Sequence, residues 1–125
     1  MTDKSSLLSS DAIARERETK HSILLEHERK TLDEACRILE IDEGLKERLA
    51  LPDRVINTSC PVRMDDGSTR IFNGYRVQHN NALGPYTGGL RYHPAVDIDV
   101  ITALAMLQTW QCALVGLPFG ASQAR

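Results

Sequence analysis

The feature that most limits how this chain can fold is an apolar run in its last third. Pro94 and Asp97 mark a helix start, and Ile98, Ile101, Leu104, Ala105, Leu107 and Trp110 follow around most of the helical circumference. A helix that is apolar on most sides is stable only when other elements cover it. The same run carries Gln108 and Gln111, three residues apart and so on one face. Two small-residue loops flank it, Gly84-Pro85-Tyr86-Thr87-Gly88-Gly89-Leu90-Arg91 before and Pro118-Phe119-Gly120-Ala121-Ser122-Gln123-Ala124-Arg125 after. Glycine has no Cβ, so backbone there can come close to a ligand. A loop, a helix face and a second loop can together wall a pocket for a small polar molecule.

The cover for that helix is legible upstream. From Val55 the hydrophobic period is two: Cys60, Val62 and Met64 alternate with Pro61 and Arg63, which predicts a strand with one buried face. Asp65-Asp66-Gly67-Ser68 is a hairpin signal, and the return strand over 69–79 places Ile71, Asn73, Tyr75, Val77 and His79 on one side. Pro61 cannot donate to a ladder, so the first strand belongs at a sheet edge, where another subunit can add. Further upstream Leu25, Leu32, Cys36 and Leu39 form one stripe of an amphipathic helix. Thr31 with Glu34 reads as a capping box, and Asp42 caps a second helix over 43–49 that Pro52 stops. Residues 90–93 read as a short strand, and 113–117, closed by Pro118, as a buried one. The order predicts an α+β fold: N-terminal helices, a β-hairpin and further strands in a mixed sheet packed by the buried helix.

Length and charge narrow the function classes. One domain accommodates 125 residues, and a net charge of −2 gives no electrostatic footprint for nucleic acid. No apolar run reaches membrane-spanning length and no signal-peptide core is visible, so a cytoplasmic protein is expected. Residues 1–10 are small and polar, and residues 11–30 interleave both signs of charge as on a solvated helix. They read as a charged extension, 1–30, ahead of a domain over 31–125. Cys36, Cys60 and Cys112 are odd in number and lack a C-x-x-C pair, so they are expected to be buried free thiols. The histidines show no ligand spacing, and no metal site is expected. Trp110 is expected in the core, and Arg76 and Arg91 in structural ion pairs.

Longer motifs carry a resemblance. Pro61-Val62-Arg63-Met64-Asp65-Asp66-Gly67, Phe72-Asn73-Gly74-Tyr75-Arg76-Val77-Gln78-His79-Asn80, Gly84-Pro85-Tyr86 and Gly88-Gly89-Leu90-Arg91-Tyr92-His93-Pro94 occur in that order. Leu104-Ala105-Met106-Leu107, Thr109-Trp110 and the segment over 113–120 continue them. Over residues 32–120 the chain resembles the N-terminal domain of the glutamate/leucine/phenylalanine/valine dehydrogenases. The first thirty residues find no counterpart. The resemblance implies a domain for subunit association that also supplies half of a substrate pocket. A separate Rossmann domain, absent from these residues, would bind NAD or NADP. The implied reaction is reversible oxidative deamination of an L-amino acid, in which substrate carboxylates need cations and the imine steps need an acid/base pair.

Carried over residue by residue, the family's three working lysines fall on neutral side chains. Thr87 stands at the lysine of Gly-Pro-x-Lys-Gly-Gly, Gln111 at the lysine after the Thr-Trp pair, and Gln123 at the catalytic lysine of the last loop. The implied substrate-binding positions are Thr87, Gly88, Gly89, Gln108 and Gln111, with no catalytic residue intact and no coenzyme held by this chain. An amide hydrogen-bonds a carboxylate without charge, and charge-assisted bonds are roughly twice as strong. Neither glutamine nor threonine serves as acid or base near neutral pH, a role worth about 10²–10⁴ in rate.

Three readings follow. In the first, a relic or non-catalytic paralogue keeps the association domain without the chemistry. In the second, a regulatory or assembly subunit pairs with itself or with an intact paralogous dehydrogenase, and its neutral pocket takes an uncharged effector. In the third, the chain is the N-terminal part of a longer oxidoreductase.

Overall fold

The computed structural model describes residues 23–94 and 96–125. The N-terminal polar segment and the first part of the charged run lie outside the described residues. The described part of helix α1 covers residues 23–38 and turns Leu25, Leu32 and Cys36 inward. It runs unbroken through Thr31, whose hydroxyl donates to the His27 carbonyl at 3.0 Å, while Glu34 pairs with Arg37 at 2.7 Å. The expected capping box is therefore absent: both residues are mid-helix, and the hydroxyl bonds backward along it. The helix ends at 38, where Ile41 N–H reaches the Cys36 carbonyl across Glu40 at φ 52°. That reversal leaves Leu39 exposed, correcting its place in the stripe.

Helix α2 is Glu43–Ala50, capped as expected by Asp42, whose Oδ1 accepts from Leu45 N–H at 3.1 Å. Strand β1, Arg54–Arg63, pairs antiparallel with β2, Thr69–Asn80, through the expected hairpin, in which Asp66 accepts from both Ser68 N–H and Ser68 Oγ. The short β3, Tyr86–Thr87, leads to helix α3, Ile98–Leu114, and then to β4, Gly120–Ala124. The sheet order is β1-β2-β4-β3, antiparallel except for β3 with β4. It is the mixed sheet expected, and β1 lies at its edge.

The core forms where α3 crosses the sheet. Val77 of β2 packs with Ile101 and Ala105, and Met106 meets Leu32 and Cys36 of α1. Trp110 packs, half-buried, at the margin of the second cluster, and its ring stands edge-on to His79 at 5.8 Å. His79 is fully buried, with Nδ1 2.7 Å from the Thr109 hydroxyl and no hydrogen bond of good geometry at Nε2. Burial holds its pKa below the ordinary 6.5; the Leu49 backbone and the Asp53 charge oppose that shift without reversing it.

Several expectations are corrected. No residue of β1 is buried, so the alternation over 55–64 marks a strand without a covered face. On β2 only the far half is covered: Val77 and His79 are buried but Ile71 is 70% exposed. Cys60 is accordingly exposed, while Cys36 and Cys112 are buried as expected. Residues 90–93 form no strand, only a single bridge from Leu90 to Ala124. The segment 113–117 is the end of α3 and its cap: Gly116 sits at φ 68° and Leu117 N–H returns to the Cys112 carbonyl at 2.9 Å. That left-handed cap needs glycine and turns Leu114, 87% exposed, away from the core. The strand comes later, as β4, where a loop was expected.

Candidate functional site

The register of β4 builds the site. Gln78 lies opposite Ser122 and Val77 opposite Gln123 on one side, while Thr87 lies beside Ala121 on the other. This central strand thus carries Gln123 to the glycine loop. Gly88 fits only because it lacks a side chain: a Cβ there would collide with the Ser122 carbonyl. Ala124 N–H then donates to the Gly89 carbonyl at 3.0 Å, and Arg91 N–H to the Ala124 carbonyl at 2.9 Å, so the loop zips onto the strand. The Tyr86 hydroxyl anchors the loop's other end on Asp53 at 2.7 Å. Burial first, and then the Asp53 carboxylate, raises the Tyr86 pKa above its ordinary value.

Between this loop, α3 and β4 lies a cavity of about 490 Å³. Thr87, Gly88, Gly89, Gln108, Gln111 and Gln123 all line it, so the six residues singled out in the sequence meet at one place. A relay of amides crosses it: Gln123 Nε2 donates to Gln108 Oε1 at 2.6 Å, and Gln108 Nε2 donates to the Thr87 carbonyl at 3.1 Å. Gln111 lies exposed, one turn further along α3. Sequence reasoning missed Cys112, Val115 and Leu117, which add an apolar side. Two of them carry a readable signal: Cys112 and Val115 follow Gln108 and Gln111 by four residues, on the same helical face.

Among the described residues no charged side chain lines this cavity. Arg91 instead lines a second, larger cavity of about 590 Å³ beside the hairpin, with Phe72 and Arg125. Among the described residues no group of three or more His, Cys, Asp or Glu side chains is placed to hold a metal ion. No helix among them is long and apolar enough to cross a membrane. The residues present do not fit a dinucleotide either. The β3–α3–β4 crossover is parallel, but the α3 N-terminus is occupied by the Asp97 carboxylate, which accepts from Val100 N–H at 2.9 Å, with Asp99 in the first turn. Two carboxylates at that end of the helix disfavour a pyrophosphate there.

Comparison with known proteins agrees with this layout. The model of the Glu/Leu/Phe/Val dehydrogenase dimerisation domain matches residues 52–125, more than half of the chain. Glutamate dehydrogenase A2 of Halobacterium salinarum is 49% identical over 92 residues, 74% of this chain and 22% of that protein. Among solved structures, glutamate dehydrogenase from Peptoniphilus asaccharolyticus superposes with a TM-score of 0.77 at 39% identity, over 81% of this chain and 26% of that one. The hetero-hexameric glutamate dehydrogenase from Thermus thermophilus, in a leucine-bound form, gives 0.75 at 39% identity, over 81% and 24%. The chain thus spans about a quarter or less of the length of these relatives.

Proposed function

Because this chain belongs to the Glu/Leu/Phe/Val dehydrogenase family through its dimerisation domain, we propose that it is the association and substrate half-domain of a glutamate-dehydrogenase-type protein that no longer turns over. The observation that carries this reading is a cavity walled by the glycine loop, α3 and β4 in which every described lining residue is uncharged. Thr87, Gln111 and Gln123 stand where the family places lysines, so the pocket keeps its walls and lacks its cations. Losing two cationic clamps weakens carboxylate binding by about 1.5–3 kcal/mol each. A fold retained without its chemistry is physically ordinary, because function resides in residues grafted onto a scaffold. The coenzyme of the family, NAD or NADP, belongs to a different domain, and the protein works in the cytoplasm.

The direct test is NAD(P)H formation from L-glutamate by the full-length product of the gene. The expected result is no turnover in the unchanged protein, and recovery when Thr87, Gln111 and Gln123 are all replaced by lysine. Turnover by the unchanged protein refutes the reading.

A second reading, an assembly subunit, is favoured by the bare hairpin. Val55, Val62, Ile71 and Phe72 of β1 and β2 are all exposed, and the outer edge of β1 has no partner strand among the described residues. An edge strand with apolar faces pairs readily with another copy or with an intact paralogue. Light scattering on the purified chain tests this second reading: a strict monomer that captures no intact dehydrogenase sinks it.

A further inference from the structure

We propose that the cavity between the glycine loop and α3 selects a neutral ligand bearing a primary carboxamide, and discriminates against carboxylates of the same shape. This rests on the reading of the cavity as a substrate half-site, and it names what that site now prefers. One group in the relay has a fixed polarity. The Thr87 carbonyl can only accept, so Gln108 must turn Nε2 toward it and Oε1 away. Gln108 Oε1 can only accept in turn, so Gln123 must present Nε2 to it. The backbone thereby orients both side-chain amides, and Gln123 Oε1 is left as the open end, buried and without a partner.

That oxygen has room beside it. Gly89 contributes no side chain there, and a Cβ on it would come within 3.2 Å of Gln123 Oε1. The terminal torsion of glutamine is broad, so a small rotation turns the oxygen to the cavity. A buried acceptor without a partner is destabilising, and a ligand donating an N–H removes that cost. Donors come as ammonium or as amide, and the cavity decides between them. Among the described residues its walls carry neither a carboxylate to pair a cation nor a cation to pair an anion. A neutral carboxamide needs neither. Its N–H₂ satisfies Gln123 Oε1, and the apolar side formed by Cys112, Val115 and Leu117 receives its methylenes.

Glutaramide and glutarate share a carbon skeleton and differ in charge, so they isolate this term. Titrated into the ¹⁵N-labelled full chain, glutaramide is expected to shift the Gly88 and Gly89 amides and the side-chain amides of Gln108 and Gln123 saturably. Glutarate at the same concentrations is expected to leave them in place. Gln123→Met, close to isosteric and without the acceptor, is expected to weaken glutaramide roughly three- to tenfold. The two-ligand comparison needs no variant and decides alone: equal or tighter binding of glutarate, or no shift with glutaramide, overturns the proposal. The triple lysine variant separates the two levels of inference. If it binds glutarate while the unchanged chain ignores glutaramide, the half-site reading stands and the ligand preference falls. If it ignores glutarate, the half-site reading itself falls.

Discussion

Gln123 on the last strand donates its side-chain amide to Gln108 on the buried helix at 2.6 Å, fastening the two walls of the cavity to each other. The bond makes the site part of the packing. Whatever perturbs the loop, the helix or the strand is felt at the same few atoms.

The tightest of these dependencies is at Gly88. A methyl group there meets the Ser122 carbonyl, which is backbone in a paired strand and cannot step aside. Gly88→Ala is expected to cost about 3 kcal/mol or more, at the upper end of overpacking penalties. Gly116→Ala meets no atom within 4 Å and carries only the strain of φ 68°, about 1 kcal/mol. Urea unfolding of both variants checks the ranking, and a larger loss at Gly116 contradicts it.

His79 sets a pH dependence. Its pKa in the folded chain lies below the ordinary 6.5 because burial disfavours the cation. The unfolded chain therefore binds the proton first as pH falls. Stability contributed by the neutral ring is complete above 6.5 and drains away as pH drops below it, by up to about 1.4 kcal/mol per unit. Melting temperatures at pH 7.5 and 5.5 should differ accordingly, with the difference reduced in His79→Gln.

Core and surface apolar residues of α3 should respond very differently in size. Met106 is fully buried against Leu32 and Cys36, so Met106→Ala is expected to destabilise by about 2–5 kcal/mol. Leu114 is on the same helix but 87% exposed, so Leu114→Ser should fall within about 0.5 kcal/mol of the parent. Parallel thermal melts measure both.

Asp97 closes the first turn of α3 through Val100 N–H. Asp97→Ala is expected to remove about 1 kcal/mol. Asp97→Asn keeps the acceptor and should recover most of it, which separates capping from charge.

What the sequence made legible follows from range. The Asp42 and Asp97 caps, the hairpin turn and the apolar helix depend on neighbours within a few residues, and all are present. The convergence of Thr87, Gln108 and Gln123 was expected from motif order, and it is realised because β4 lies between β2 and β3. The errors arise where a local pattern has no local meaning. Alternation over 55–64 signals a half-buried strand only if something covers it, and nothing among the described residues covers β1. The run over 113–117 is short and apolar, and periodicity cannot tell such a run from a helix end. Gly116 marks the cap, and its place before Pro118 was the signal to weigh. Residues 120–124 hold no β-branched or large apolar side chain and so do not read as a strand; backbone pairing with β2 on one side and β3 on the other makes them one.

The bare outer strand has a thermodynamic consequence. In the assembly-subunit reading a second molecule shields the β1 side chains, which the described residues leave bare, and part of the free energy that holds the fold is bimolecular. Stability is then a property of the solution as well as of the sequence: by mass action, each tenfold dilution of a dimer removes about 1.4 kcal/mol of it. The unfolding midpoint should climb with protein concentration, and a midpoint indifferent to dilution would mean that β1 is stable bare.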